Sequence, residues 1–274
     1  MTNLTPSALF DLSGKVALVT GGATGIGRMA TEGLAAAGAR VLIVSHKEGA
    51  CAAVADEINA MGLTGTVEGF QGDVATEAGI DALVAEVTSR TDALHILMNN
   101  AGTTWGAPLG QHPHKAWSRV LDVNVTGMFH LTQCLMPLLE GSTSFDDPAR
   151  VVNVASVMGE VPMGDGAYSY AVSKGAVIHM TRILGNELAK HHITVNALAP
   201  GPFLSKMTAF ALAGDDQSKN VASHMPLQRL GRPDDIAAAM QFLCGRGGSY
   251  VTGSVVPLSG GANVETGHSL FEGS

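Results

Sequence analysis

Short runs of β-branched and apolar residues alternate with Ala-rich amphipathic stretches along nearly all of the chain, and this restricts the fold more than any other feature. The runs at 16–20, 40–45, 66–71, 95–99, 151–155, 194–198 and 254–257 read as strands. Helices are expected over 27–37, 48–61, 77–90, 115–139, 168–190 and 234–245. The strand runs carry apolar residues on both faces, as in a parallel sheet covered by helices on either side. Right-handed crossovers then give a doubly wound α/β sheet of about seven strands, with ligands at the carboxyl ends of the strands. No linker, repeat or shift in composition divides the 274 residues, so one domain is expected. Residues 1–14 read as an N-terminal extension, and 140–149 as a polar surface loop. Residues 202–224 read as an apolar lid, and 262–274 as a C-terminal tail.

Composition excludes several classes of function. Apolar residues make up 46% of the chain against 15% charged, enough to bury a large core. The net charge of −8 and the scattered Lys and Arg work against nucleic acid, whose phosphates demand clustered cations. No apolar stretch approaches the ~18 residues of a membrane span. The N-terminal residues show no basic segment followed by an apolar one, so a cytoplasmic protein is expected. Cys51, Cys134 and Cys244 are odd in number and widely spaced, which reads as reduced thiols. The ten His form no recognised ligand motif, and no metal site is expected.

Two local patterns carry chemistry. The first strand empties into Thr20-Gly21-Gly22-Ala23-Thr24-Gly25-Ile26-Gly27, with a helix following at once. Glycines there let the backbone turn tightly and approach a pyrophosphate at the helix N-terminus, although glycines alone also fit a plain turn. The second pattern is Tyr170-Ala-Val-Ser-Lys174. Four positions are just over one helical turn, so a phenol and an ammonium share a helix face. The ammonium would favour the phenolate and bring proton exchange toward neutral pH. Tyr168 has Val172 at the same offset and so has no such partner.

The glycine spacing, Asn99-Asn100-Ala101-Gly102 after the fourth strand, and Tyr170-x-x-x-Lys174 together resemble the short-chain dehydrogenase/reductase family, from about residue 15 to 261. Within it, the segments 100–107, 202–208 and 229–233 look closest to bacterial 3-oxoacyl-thioester (acyl-carrier-protein) reductases, including those linked to rhamnolipid formation. The resemblance implies a single Rossmann-type domain and an NAD(P)(H)-dependent oxidoreductase interconverting a ketone and a secondary alcohol. It also implies a tetrad. Tyr170 would be the acid/base, Lys174 would lower its pKa and hold the nicotinamide ribose, and Ser156 would donate to the substrate oxygen. Asn124 would hold a water linking Lys174 to solvent. Ser156 would otherwise cap a loop, and Asn124 would otherwise stabilise a helix bend. The interval from Ser156 to Tyr170 is one residue longer than is usual in the family, which predicts an altered pocket wall between them.

Further cofactor contacts carry over by position: Gly21, Thr24, Gly25, Ile26 and Gly27 at the pyrophosphate, and Asp73-Val74 flanking the adenine. Asn100, Ala101 and Gly102 would line the adenosine side, Pro200 and Gly201 would pass the nicotinamide, and Phe203 and Ser205 would follow them. Ser45 stands where NAD-preferring relatives carry an acid, and His46, Lys47 or Arg28 could pair with a 2′-phosphate, so NADP(H) is expected over NAD(H). Trp105, Met158, Met163 and Met207 would add apolar wall for an acyl chain, a steroid or an aryl ketone. Relatives of this kind assemble as homotetramers through the two long helices before and containing Tyr170, and the last strand and helix. A dimer is the smaller alternative. A catalytically silent nucleotide-sensing or scaffold protein would share the fold but lack a tetrad residue.

Overall fold

The structure is a computed structural model that describes residues 4–163, 166–204 and 215–264. Seven parallel strands form one continuous sheet in the order β3-β2-β1-β4-β5-β6-β7. The strands are β1 (Val16–Thr20), β2 (Arg40–Ser45), β3 (Thr66–Gln71), β4 (Ile96–Asn99), β5 (Ala149–Val154), β6 (Ile193–Pro200) and β7 (Val255–Leu258). Alternate residues feed two cores. Ala17, Val19, Val41, Ile43, Ile96 and Met98 face one side of the sheet, while Leu18, Leu42, Val44 and Leu97 face the other. This two-faced burial is why the strand runs lack polar alternation.

Helices α2 (Gly25–Ala36), α3 (Ala50–Asn59) and α10 (Pro233–Cys244) pack on the first face. Gly33 permits the close crossing of α2 and α10, because a Cβ there would lie 2.6 Å from that of Ala237. Helix α10 starts cleanly: Pro233 lacks an N–H that the first turn would leave unpaired, and Asp235 accepts from the Arg232 N–H at 2.8 Å. On the second face lie α4 (Glu77–Arg90), α6 (Met128–Cys134) and α8 (Tyr168–Glu187). Thr76 caps α4 by accepting from Gly79 N at 3.1 Å.

One expectation changes. The helix expected over 115–139 is broken into α5 (His114–Leu121), a π-helical turn (Asp122–Gly127), α6 and α7 (Met136–Glu140). Pro137 lies in the first turn of the last of these, where its missing N–H interrupts no bond. The N-terminal extension holds α1 (Pro6–Leu9), and Leu12 is wholly buried in the first core. Part of the expected lid is helical, as α9 (Asp215–Ser223), whereas 205–214 lie outside the described residues. Most of the C-terminal tail, 265–274, lies outside them too. The surface loop 140–149 is pinned at its ends, by Glu140 to His191 at 2.8 Å and by Asp147 to Lys15.

Strand order reverses between β1 and β4, since the chain runs outward to β3 and then returns to the other side of β1. A crevice at the carboxyl ends of these two strands is the physical consequence. The glycine-rich turn and the segment after Asn99 both open into it.

Candidate active site

The turn after β1 needs glycine at particular positions. Gly21 has φ +67° and Gly25 φ +53°, both in the left-handed region. A Cβ on Gly27 would run into the Gly21 carbonyl and lie 2.5 Å from Asn100 Nδ2. Asn100 ties this turn to β4, since its Nδ2 donates to the carbonyls of Thr20 (2.8 Å) and Gly21 (3.2 Å). Thr20 Oγ1 completes the stitch by accepting from the N–H groups of Asn100 (3.0 Å) and Ala101 (2.9 Å). Thr24 is exposed and its side chain caps nothing, leaving the first N–H groups of α2 facing the crevice. A cradle of backbone donors that a single Cβ would fill suits the pyrophosphate of a dinucleotide.

Facing that cradle across the crevice is the start of α8. Lys174 is 4% exposed, and its ammonium donates to the Val154 carbonyl at 2.6 Å. Burial alone lowers its pKa to about 8. Its Nζ stands 5.5 Å from the Tyr170 ring centroid. At the end of β5, the Ser156 hydroxyl accepts from Met158 N–H at 3.2 Å and stands near enough to the Tyr170 phenol to oppose the rise in its pKa. Ser156 therefore caps its loop and contacts Tyr170 as well. Burial pushes the Tyr170 phenol up, with only the Ser156 bond opposing it. One of the three N–H donors of the Lys174 ammonium goes to the Val154 carbonyl, which leaves two for other partners.

Asn124 sits in the π-helical turn, where the extra residue per turn swings its side chain inward. Its Oδ1 accepts from Thr103 N at 2.8 Å, and its Nδ2 donates to Thr103 O and Ser173 Oγ, each at 2.9 Å. Ser173 Oγ in turn donates to the Tyr170 carbonyl at 2.7 Å. The amide thus ties the segment after β4 to the helix turn joining Tyr170 to Lys174. Gly102 lies under it, where a Cβ would be 3.7 Å from Lys174 Nζ. The long Ser156-to-Tyr170 connection is held at both ends. Gly159 packs on the Lys174 backbone, and Gly166 (φ +67°) accepts from Ala107 N at 3.1 Å.

The other expected residues fall into three groups. At the far end of the crevice, Ser45 closes β2 half-buried, and His46 and Lys47 are exposed. His46, Gln71, Asp73 and Glu86 line a cleft of about 350 Å³ there. Asp73 Oδ1 accepts from Ala75 N at 2.9 Å, and Val74 packs into the second core. Arg28 does not reach toward this cleft: its guanidinium is held by Glu32 and Glu57, both at 2.8 Å. At the near end, Pro200 closes β6, and Gly201 N donates to Leu258 O at 3.0 Å. Trp105 is 38% exposed, Met158 and Met163 are half-buried, and Ile26 packs against the first core. Phe203 is no lid residue: it is buried in the first core with its ring tip against Gly231, which has no Cβ to displace it. Ser205 and Met207 lie outside the described residues.

Sequence reasoning missed Thr20, Thr103 and Ser173, whose roles are partners to other residues. It also missed a buried chain beneath the site, in which Asn99 Nδ2 donates to Thr132 Oγ1 and Asn153 Oδ1 (both 2.9 Å), and Asn153 Nδ2 to Thr181 Oγ1 (3.0 Å). Asn99, which ends β4, and Asn153, next to last in β5, were the available signal.

Fold and site together define a dinucleotide-dependent α/β oxidoreductase. Comparison with known proteins narrows that class. Residues 21–263 match a family profile described as "Enoyl-(Acyl carrier protein) reductase". The "rhamnolipids biosynthesis 3-oxoacyl-[acyl-carrier-protein] reductase" of Pseudomonas aeruginosa is 44% identical over 256 residues, covering 93% of this chain and 98% of that one. The "3-oxoacyl-[acyl-carrier-protein] reductase FabG" of Aquifex aeolicus is 35% identical over 252 residues, covering 91% and 98%. Among solved structures, the "Pseudomonas aeruginosa RhlG/NADP active-site complex" superposes with a TM-score of 0.90 at 41% identity, covering 94% of this chain and 99% of that one. The chain belongs to the short-chain dehydrogenase/reductase family.

Proposed function

We propose that the protein is an NADP(H)-dependent reductase of 3-oxoacyl thioesters, with Tyr170, Ser156, Lys174 and Asn124 as its working residues. The observation carrying this reading is the Ser156 hydroxyl beside the Tyr170 phenol and the buried Lys174 ammonium, opposite the glycine cradle. Two hydroxyls converging at one point suit a carbonyl oxygen, which favours C=O over C=C reduction.

The cradle of Gly21, Gly25 and Gly27 would hold the pyrophosphate, with Ser45, His46 and Lys47 toward the 2′-phosphate. Asp73, Val74, Ala101 and Gly102 would flank the adenosine side, and Pro200 and Gly201 the nicotinamide side. When bound, the nicotinamide supplies hydride to the substrate carbonyl carbon. As negative charge gathers on the substrate oxygen, Ser156 donates a hydrogen bond to it and Tyr170 transfers its proton. The raised pKa of Tyr170 keeps that proton in place at neutral pH, which suits reduction. Lys174 steadies the ionised phenol electrostatically, and Asn124 holds Thr103 and Ser173 so that the helix turn carrying both residues stays in register. Trp105, Met158 and Met163 supply apolar wall for an acyl chain.

NADP(H) over NAD(H) rests on the missing acid at Ser45, and on NADP in the Pseudomonas relative's complex. A homotetramer rests on the apolar residues left exposed on the helices around the site, Phe129, Val172 and Ile183. Light scattering would test it, and a monomer at micromolar concentration would count against it. Among the described residues no helix is long and apolar enough to cross a membrane. With three free cysteines, this supports a cytoplasmic location.

The deciding experiment follows NADPH consumption against acetoacetyl thioesters, steroid ketones and aryl diketones. Acetoacetyl thioesters should give the highest kcat/KM. A clear preference for a steroid or aryl ketone would replace the substrate class and leave the chemistry. No turnover with any of them would favour a nucleotide-sensing role.

A further inference from the structure

Beyond the active site, helix α6 carries a second set of donor atoms. His130 and Cys134 stand one turn apart on it, with His130 Nε2 3.7 Å from Cys134 Sγ. Asp81 projects from the neighbouring helix α4, and one ligand atom from each of the three lies within 4.8 Å of the others. We propose that Asp81, His130 and Cys134 bind one divalent cation of the Zn²⁺ class, bridging α4 to α6.

The geometry supports this in two ways. Zinc bonds of about 2.3 Å to sulfur and about 2.0–2.1 Å to nitrogen, meeting near the tetrahedral angle, put those two atoms roughly 3.6 Å apart. The His130–Cys134 separation already has that value without any rearrangement. The third donor has room to adjust: Asp81 is exposed, so its carboxylate can close the remaining distance by a side-chain rotation, whereas the half-buried His130 and Cys134 are set by the helix. Below the cluster, Ile80, Leu83, Leu131 and Leu135 form a rigid apolar floor that fixes the two helix axes.

Charge around the cluster has the sign a cation requires. Burial raises the pKa of the Cys134 thiol, and the carboxylates of Asp81 and Glu77 raise it further. Glu77 lies one turn before Asp81 on α4 and adds negative charge nearby, and water would complete the coordination. A divalent ion reverses the local balance: it replaces the thiol proton, leaves a thiolate on the metal, and sends the proton to solvent. Donor choice argues for zinc over magnesium or calcium, which prefer oxygen and would leave sulfur unused. His130-x-x-x-Cys134 alone spells no recognised motif, and Asp81 is far away in sequence.

The test uses full-length protein stripped by a chelator, then titrated with Co²⁺ and Zn²⁺. One equivalent per chain should bind, with a sulfur-to-cobalt charge-transfer band that Zn²⁺ removes and a proton released on binding. Cys134→Ser should abolish the band, and both Cys134→Ser and His130→Ala should weaken Zn²⁺ binding by about a hundredfold or more. Zn²⁺ should raise the melting temperature of the parent protein and not of either variant. Both residues lie outside the catalytic set, so NADPH-linked turnover of the variants serves as the folding control. Absence of saturable binding at micromolar Zn²⁺ would overturn the proposal. So would binding that survives unchanged in Cys134→Ser, since the ion would then sit elsewhere.

Discussion

Replacing Lys174 with Met should abolish turnover and yet make the cofactor-free protein more stable at neutral pH. The fold holds this ammonium out of water with one carbonyl as partner, and burial lowers its pKa from 10.5 to about 8. At about 1.36 kcal/mol per pKa unit, that shift means burial disfavours the charged form by roughly 3 kcal/mol. Against this, the Val154 carbonyl loses its donor, and an unpaired buried acceptor costs about 1–3 kcal/mol. Met fills a channel of similar length with flexible apolar atoms. The variant should therefore gain between about 0 and 2 kcal/mol at pH 7.

The pH dependence fixes the cause. A folded pKa below the unfolded one means the penalty is fully present below about 8 and fades as pH approaches 10.5. The parent should thus recover relative to Lys174→Met across that window. It should be the more stable of the two at its upper end, where a neutral amine still donates to Val154. Urea unfolding of both proteins at pH 7 and at alkaline pH measures the difference directly, and ionisations common to both cancel. A variant less stable at pH 7, with a difference that ignores pH, would refute the view of Lys174 as a strained functional charge. Turnover at the parent rate would refute its role in the reaction.

Tyr170→Phe should lower kcat/KM by about 10²–10⁴ with little change in NADPH affinity, the expected loss for a general acid. Ser156→Ala should lower kcat by about 10²–10³, and an effect on KM alone would assign it to loop capping. For the parent enzyme, carbonyl reduction should hold steady through neutral pH and fall on the alkaline side as Lys174 loses its proton. That direction follows from a Lys174 pKa of about 8 and a raised Tyr170 pKa, and a rate that rises above pH 8 would contradict it. Gly27→Ala should weaken NADPH binding, measured by fluorescence titration, because the new methyl would displace Asn100 and the Gly21 carbonyl. Undiminished affinity would show that the cradle has another purpose. The ratio of kcat/KM for NADPH over NADH should exceed about tenfold, equivalent to about 1.4 kcal/mol, and an NADH preference would reverse the assignment made from Ser45.

Much of the fold was legible because burial on both faces leaves a strong mark in sequence. The runs at 16–20, 40–45 and 66–71 coincide with strands β1, β2 and β3, whose residues must be apolar whichever way they point. Helix α4 was equally readable, since Thr76 caps it and Arg90 closes it. The region 115–139 was misread as one helix because a π-helical turn leaves the apolar pattern nearly intact. It adds one residue per turn, and Asn124 is the kind of residue such a turn exists to bury. Phe203 was misplaced because an aromatic beside a presumed lid looks the same in sequence as one packed on Gly231.

The sequence by itself determined the doubly wound sheet, the glycine turn after β1, and the helical offset of Tyr170 and Lys174. Each depends on local conformation or on periodic burial, which short stretches of chain record. Only the tertiary structure decided what surrounds those groups. It sends the Lys174 ammonium to the Val154 carbonyl and commits Asn124 to Thr103 and Ser173. It also turns Arg28 toward Glu32 and Glu57, and brings Asp81 to His130 and Cys134. These partners lie far apart in sequence or compete for the same donor, and their pairing is settled by how helices pack on the sheet.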